Sequence, residues 1–197
     1  YRNPAIILAD GVIGQMMEKV VLPAQKPRRT DAEVIEQCPW ATTGRTHHRT
    51  PNIITSLELD PAEMEKRNIH LQKKYAEIEE NEVRFEELHC EDAEYLIVAF
   101  GSCARIAQKA MEMAREEGIK VGLLRPITLW PFPSKAIAAR AAQVKGILTV
   151  ELNAGQMVED VRLAVECKVP VEHFGRLGGI VPDPDEVITA LKEKLIK

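Results

Sequence analysis

The sequence lacks the features that usually mark a metal site, a membrane span or a secreted scaffold. Its four cysteines are far apart and form no C-x-x-C pair, which argues against a zinc site or an iron–sulfur cluster. No apolar run reaches the roughly 18 residues of a transmembrane helix, and the residues after Tyr1 do not show the basic region, apolar core and cleavage site that are typical of a signal peptide. The net charge of -4 gives no reason to expect nucleic acid or anionic lipid as a partner. We therefore expect a cytoplasmic protein with reduced thiols.

The common catalytic and phosphate-binding motifs are also missing. The sequence contains no P-loop, no G-x-S-x-G and no H-E-x-x-H, and Gly101-Ser102 lacks the later glycines of a dinucleotide fingerprint. His47 and His48 are adjacent, so a strand would point them to opposite faces, and a solvated basic loop is the simpler interpretation. Cys103 has no neighbouring histidine to act as its base. We predict no catalytic residue and no metal ligand.

The second half of the chain alternates short apolar runs with helical segments from Glu94 onward. The runs predict strands at 95–100, 120–124, 147–152 and 171–174, each followed by a helix. Asp183-Pro184-Asp185-Glu186 predicts a capping box at the start of the last helix. Strands that alternate with helices pair in parallel. The predicted fold class is α/β, with an open, mostly parallel, doubly wound sheet at 94–197.

The first half has a different organisation. Residues 4–22 predict a strand, a turn at Asp10-Gly11 and a short helix, a βα remnant too small to fold alone. The chain starts at Tyr1 without methionine and runs into a buried-strand pattern, so we expect it to begin inside a larger protein. Residues 23–60 predict a long irregular connector.

A charged arm helix is predicted next, from Asp60-Pro61 to about His89. Its apolar residues form a narrow stripe that suits a helix lying on another surface: Met64, Leu71, Tyr75, Ile78 and Phe85. The expected organisation is thus a βα remnant at 1–22, connector and arm at 23–93, and the α/β domain after them.

Loops at the carboxyl ends of parallel strands carry function in sheets of this kind. The candidate ligand or interface edge comprises Gly101, Ser102, Arg125, Trp130, Glu151, Asn153 and Gln156. Two helix N-termini, near Cys103 and Gln156, should face this edge and could hold an anion. The alternative is that these residues only cap helices, and that Arg125 and Glu151 pair with each other.

The stretch LLRPITLWPFP at 123–133 cannot continue as regular strand or helix, because its three prolines remove backbone donors. Trp130 and Phe132 give it rigid amphipathic area with little entropy to lose on packing. We expect this loop to dock against a neighbouring domain or subunit.

Several motifs together resemble a known family. AFGSCARIAQKAMEMAREEG, LRPITLWPFP, VELNAGQMVEDVRLAV and FGRLGGIVPDPDEV resemble the carboxyl-terminal region of the alpha subunit of 2-oxoacid:ferredoxin oxidoreductases. The resemblance is closest to the 2-ketoisovalerate enzymes, with the 2-oxoglutarate enzymes next. It implies that residues 1–22 end a pyrimidine-binding domain, and that 94–197 form a transketolase C-terminal-like domain.

The family resemblance also implies a reaction and a set of partners. Such enzymes oxidatively decarboxylate a 2-oxoacid with thiamine diphosphate, form an acyl-CoA and send electrons through iron–sulfur clusters to ferredoxin. The diphosphate and magnesium belong to the beta subunit, so this fragment is expected to bind no cofactor and to be inactive alone. Its expected partners are the beta and gamma or delta subunits and, through the whole enzyme, ferredoxin and CoA.

Two alternatives from other functional classes stay open at this point. One is a self-sufficient flavodoxin-like module that recognises a nucleotide or CoA at the strand ends. The other is a structural interaction domain whose arm at 61–89 forms a homodimer.

Overall fold

A computed structural model describes residues 1–42 and 50–196 of the chain. Two compact units are present: Tyr1–Met16 together with the chain from Lys73 onward, and Met17–Gln72. The helices are α1 Gly11–Gln15, α2 Asp31–Gln37, α3 Pro61–Asn81, α4 Gly101–Glu116, α5 Ser134–Ala141, α6 Met157–Val165 and α7 Pro184–Leu191, which continues as a π-helical turn over Lys192–Ile196. The strands are β1 Phe85–Leu88, β2 Tyr95–Ala99, β3 Val121–Pro126, β4 Gly146–Glu151 and β5 Val171–Gly175.

The five strands form one sheet in the order β1-β3-β2-β4-β5. Strands β2 to β5 are parallel to one another, and β1 pairs antiparallel with β3. At the centre of the sheet Val98 is in register with Leu124 on one side and Thr149 on the other. This confirms the mostly parallel sheet and its four predicted parallel strands.

Helices cover both faces of the sheet, as expected for a doubly wound domain. On one face α4 and α7 pack through Met111 and Leu191 against a layer that includes Leu148. On the other face α5 and α6 pack against a layer that includes Leu96 and Leu124. Each central strand is therefore buried on both sides, which explains why the strands read as continuous apolar runs.

The end of the arm helix was predicted wrongly. Helix α3 ends at Asn81 instead of near His89, and Phe85–Leu88 forms the edge strand β1. Phe85 fits the helical stripe of α3, but the open edge of β3 offers this segment a ladder of backbone hydrogen bonds. Tertiary pairing thus overrides the local pattern, and the sheet includes a strand that lies before residue 94.

The amino-terminal segment forms only part of the predicted βα unit. Helix α1 follows the predicted turn, and the Asp10 side chain caps it by accepting the Ile13 N–H at 2.7 Å. Residues 1–10 form no strand, and Ile6, Ile7 and Leu8 are exposed. A strand needs a neighbouring strand for its hydrogen bonds, and the described residues offer none here.

The unit Met17–Gln72 contains a helix that was predicted to be irregular connector. Helix α2 begins with a capping box in which Thr30 and Glu33 bond reciprocally. The sequence signal, Thr-x-x-Glu, is present but stands in a proline-rich stretch. The predicted start of α3 is confirmed, because Asp60 Oδ1 accepts the Ala62 N–H at 2.8 Å. Within the described ranges, no helix has the length and apolar character to cross a membrane.

Candidate functional site

The side chain of Glu151 lies buried at the end of β4, where it caps helix α6. Its Oε2 accepts the backbone N–H groups of Gln156 at 3.1 Å and Met157 at 2.8 Å, and its Oε1 accepts that of Val158 at 3.0 Å. A carboxylate at a helix N-terminus satisfies the free N–H groups and complements the helix dipole. One of the two helix ends that were predicted to hold an anion, the one near Gln156, is therefore already occupied by a carboxylate of the chain itself.

The loop between Glu151 and α6 is shaped by two glycines. Asn153 Oδ1 accepts the Gly155 N–H at 2.7 Å, and Gly155 has a φ of +111°, in the region that favours glycine. A Cβ at Gly175 would collide with the Asn153 carbonyl oxygen and would lie 2.6 Å from Nε2 of His173. Only glycine at the end of β5 allows the loop to lie this close.

His173 is a residue of this site that sequence reasoning missed. Its Nδ1 lies 3.4 Å from Glu151 Oε1 and 3.3 Å from Thr149 Oγ1. Thr149 and His173 are in register across β4 and β5, so their side chains share one face of the sheet. The signal for this contact is the strand pairing itself, which the sequence alone does not specify. The partly exposed imidazole of His173 therefore lies next to the buried carboxylate of Glu151 that caps α6.

Gly101 and Ser102 follow β2 and begin helix α4. Gly101 has a φ of +58°, which allows the abrupt change from strand to helix. The Ser102 hydroxyl donates a hydrogen bond to Asp10 Oδ2. This bond is the main reason why the pKa of Asp10 lies below its ordinary value, followed by the bond from the Ile13 N–H. Sequence reasoning identified Asp10 only as a turn residue.

Cys103 is buried in the core beneath helix α4. Burial raises the pKa of its thiol to about 11, and the negative charges of Glu151 and Asp10 raise it further. A high thiol pKa disfavours the thiolate, which is the nucleophilic form. The environment of Cys103 is therefore the opposite of one that activates a cysteine.

Arg125 pairs with a residue that the sequence analysis placed on a helix. Its Nη1 lies 2.9 Å from Glu86 Oε2, directly across the antiparallel register of β1 and β3. The alternative pairing of Arg125 with Glu151 is wrong, because β1 provides a nearer carboxylate.

The proline-rich loop after β3 is held firmly while Trp130 is half exposed. The backbone N–H groups of Ile127 and Thr128 donate to the Arg84 carbonyl, and Thr128 Oγ1 donates to the Pro131 carbonyl. The Trp130 ring meets Tyr75 edge to face, with centroids 5.8 Å apart. Its exposed fraction is 53%.

The structure thus brings together three of the seven candidates, Glu151, Asn153 and Gln156, in one loop. Ser102 and Arg125 form their hydrogen bonds with residues outside the candidate set. In the described part of the chain, no group of three or more His, Cys, Asp or Glu side chains could hold a metal ion. The described residues therefore offer no ligand set for an iron–sulfur cluster. His47 and His48 lie outside the described residues.

Comparison with known proteins identifies the family. Residues 93–187 match the model of the pyruvate:ferredoxin oxidoreductase core domain II. The chain is 44% identical over 98% of its length to ketoisovalerate oxidoreductase subunit VorB of Methanothermobacter marburgensis. The chain belongs to the 2-oxoacid:ferredoxin oxidoreductase family. Within that family, it is 30% identical to 2-oxoglutarate synthase subunit KorA of Archaeoglobus fulgidus, over 93% of its length.

The chain spans about half the length of these relatives, 53% of VorB and 51% of KorA.

Solved structures agree with the family and the fold. A 2-oxoglutarate:ferredoxin oxidoreductase from Magnetococcus marinus, with 2-oxoglutarate, coenzyme A and succinyl-CoA bound, superposes with a TM-score of 0.61 at 25% identity, covering 69% of this chain and 24% of that one. A split-gene transketolase superposes with a TM-score of 0.50 at 21% identity, covering 57% and 41%, and supports the fold alone.

Proposed function

We propose that this chain is the assembly-forming carboxyl-terminal part of the alpha subunit of a thiamine diphosphate-dependent 2-ketoisovalerate:ferredoxin oxidoreductase in the cytoplasm. The whole enzyme would convert a 2-oxoacid and CoA into acyl-CoA and CO2 and pass two electrons to ferredoxin. The observation that carries this proposal is the 44% identity to a ketoisovalerate oxidoreductase subunit over 98% of the chain. The identity to the 2-oxoglutarate synthase subunits is lower, 26% and 30% for two of them.

In this proposal the chain positions other parts of the complex and supplies no catalytic group. Thiamine diphosphate, magnesium and the clusters would be held by other parts of the complex, chiefly the beta subunit and the subunits that carry cluster cysteines. Three observations support this division of labour: the cap at Glu151 occupies a helix N-terminus, the Cys103 thiol is buried, and Arg125 is paired with Glu86. Of the two helix ends at the candidate edge, the α6 end is occupied by Glu151, so a self-sufficient nucleotide- or CoA-binding module could not use it for an anionic ligand.

The proposed domain limits follow the same division. Residues 1–22 would complete a pyrimidine-binding-type domain. Residues 23–93 would supply the connector, the arm helix and the edge strand β1, and 94–197 would form the rest of the transketolase C-terminal-like domain. The exposure of Ile6, Ile7 and Leu8 supports the first limit, because consecutive apolar residues in a strand are buried by their own sheet.

The proposal is tested by co-expressing the full-length alpha chain with its genomic neighbours and assaying the purified complex. We expect CoA-dependent reduction of a viologen dye with 2-ketoisovalerate, with a higher kcat/KM than with 2-oxoglutarate or pyruvate. A correctly assembled complex that contains thiamine diphosphate and clusters but oxidises no 2-oxoacid would overturn the function. A preference for 2-oxoglutarate would overturn the substrate only.

A further inference from the structure

The amino-terminal segment Tyr1–Met16 forms polar contacts with helix α3 and with the α/β domain. The Lys74 ammonium donates to Asn3 Oδ1 at 3.0 Å, and the Ser102 hydroxyl donates to Asp10. These partners are 71 and 92 residues apart in the sequence, so the contacts are tertiary. Ser102 lies in the first turn of α4, directly after β2. The segment is therefore seated at the carboxyl end of the parallel sheet.

The contact between Asp10 and Ser102 lies close to the neighbouring strand β4. The buried thiol of Cys103 is influenced by the negative charges of both Asp10 and Glu151. Glu151 ends β4, and β4 is the neighbour of β2 in the sheet. Asp10 thus lies near the junction of the β2 and β4 ends, where an isolated doubly wound domain would offer space to a small ligand.

Apolar side chains are left uncovered on the seated segment. Ile6, Ile7 and Leu8 have exposed fractions of 83%, 95% and 77%. Because successive side chains of an extended segment point to opposite sides, three consecutive apolar residues need cover on both sides. The polar contacts hold the segment in place, and its apolar residues lack cover.

A second uncovered apolar surface lies beside this seat. It is formed by the loops that follow β4 and β5, and we call it the β4–β5 rim: Leu152, Leu177, Ile180 and Val181. Since β4 adjoins β2 and β5 adjoins β4, the rim continues the edge on which Asp10 is seated. Exposed apolar residues that are grouped at one edge of a sheet are typical of interaction surfaces.

We propose that the β4–β5 rim is covered by the polypeptide domain to which Tyr1–Met16 belongs, which precedes Tyr1 in the full-length chain. This inference rests on the proposed function. One occupant accounts for both uncovered surfaces, because the strand order β2-β4-β5 places the rim at the same edge of the sheet at which Asp10 contacts Ser102. The chain spans 53% of its relative's length, so a domain of comparable size is available to cover the rim.

The occupant of the edge is a polypeptide rather than a small anionic ligand. The α6 N-terminus is satisfied by Glu151, and in the first turn of α4 the Ser102 hydroxyl is engaged by the Asp10 carboxylate. The rim residues are apolar, and the neighbouring Arg176 guanidinium is paired with Glu186 at 2.8 Å. Apolar side chains of this size match an apolar protein surface.

Site-specific photo-crosslinking in the assembled complex tests the proposal. The photoreactive p-benzoylphenylalanine replaces Leu177 in the full-length alpha chain, and a matched variant carries it at Leu163, which is 75% exposed on α6 away from the rim. After irradiation, crosslinked peptides are identified by mass spectrometry. We expect the Leu177 variant to crosslink to peptides that precede Tyr1, in at least tenfold greater yield than the Leu163 variant.

Three results would overturn the proposal: crosslinks from Leu177 to another subunit, equal yields at both positions, or no crosslink in a complex of the correct mass. The enzymatic function is tested separately, by the dye-reduction activity of the unmodified complex. A complex with activity but no such crosslink would remove the interface and leave the function intact. A complex that forms the crosslink but has no 2-oxoacid activity would support the interface and overturn the proposed function.

Discussion

The Oε1 atom of Glu151 accepts a 3.0 Å hydrogen bond from the backbone N–H of Val158, which ties the end of β4 to the first turn of α6. With the two bonds to Oε2, one buried carboxylate satisfies three free N–H groups of the helix. Glu151 lies where a ligand-binding group was expected, and its carboxylate instead stabilises the start of α6. The stability of the domain and the shape of its strand-end loops both depend on it.

Replacing Glu151 by glutamine should lower the free energy of unfolding by about 2–3 kcal/mol, because an amide nitrogen cannot accept the bonds that a carboxylate oxygen accepts. The matched control is Glu159→Gln in the same helical turn, where the side chain is exposed. That change should cost less than about 0.5 kcal/mol. Chemical denaturation followed by circular dichroism measures both variants, and equal midpoints would show that Glu151 is no cap.

The partly buried pair of Glu87 and Arg140 should make stability depend on pH. The hydrogen bonds from Arg140 hold the pKa of Glu87 below its ordinary 4.5. A lowered pKa in the folded state means that the stabilisation is complete above 4.5 and is lost as the pH falls through the folded value. Glu87→Gln should therefore cost about 1–2 kcal/mol at pH 7 and progressively less below pH 4.5.

The exposed pair of Glu80 and Lys135 is the control for this prediction, since 71% and 90% of their side-chain surfaces are exposed. Glu80→Gln should change the unfolding midpoint little at any pH. If Glu87→Gln destabilises the chain equally at pH 7 and at pH 3, the ion pair is not the cause of the loss.

Gly175→Ala should destabilise the domain by about 1–3 kcal/mol, because the new methyl group would collide with the Asn153 carbonyl oxygen and the His173 ring. Backbone on the loop cannot move aside without disturbing the cap at Glu151. Gly14→Ala is the control, since nothing lies within 4 Å of a Cβ at that position. Thermal unfolding should separate the two variants, and equal melting temperatures would contradict the close approach.

Much of the α/β domain could be predicted from the sequence. The four parallel strands stand out as apolar runs because both faces of each strand are buried, and the capped starts of α3 and α7 are marked by Asp60 and Asp183. At α7 the Glu186 side chain accepts the Asp183 N–H at 3.0 Å, as the motif predicts. These features can be predicted because each depends on residues that are close together in the sequence.

The contacts that the sequence did not reveal depend on tertiary pairing. Phe85 was assigned to the arm helix because its spacing fits the stripe, and β1 forms only because β3 has an open edge. Arg125 could not be paired correctly while Glu86 was placed on a helix. His173 joins Glu151 because β4 and β5 are in register, and Asp10 reaches Ser102 across 92 positions in the sequence.

Trp130→Ala in the full-length alpha chain should reduce the fraction of chain that assembles with its partner subunits. The loop is held rigidly by Arg84 and Thr128, so the half-exposed indole is suited to docking. Trp130→Phe keeps a ring against Tyr75 and should retain most assembly. Leu163→Ala removes an exposed apolar side chain elsewhere and should have no effect. Size-exclusion chromatography with mass determination measures the assembled fraction, and normal assembly of Trp130→Ala would remove this role.

The most direct test of the central claim, that this region assembles the enzyme without taking part in the chemistry, is the activity of an assembled complex that carries Arg125→Ala. Arg125 is a charged residue at the candidate edge, and its partner Glu86 belongs to the scaffold. The account predicts kcat and KM values for 2-ketoisovalerate and CoA within about twofold of the unmodified complex, which is well under 1 kcal/mol. A loss of kcat greater than about tenfold, in a complex of correct mass with full thiamine diphosphate and cluster content, would contradict it.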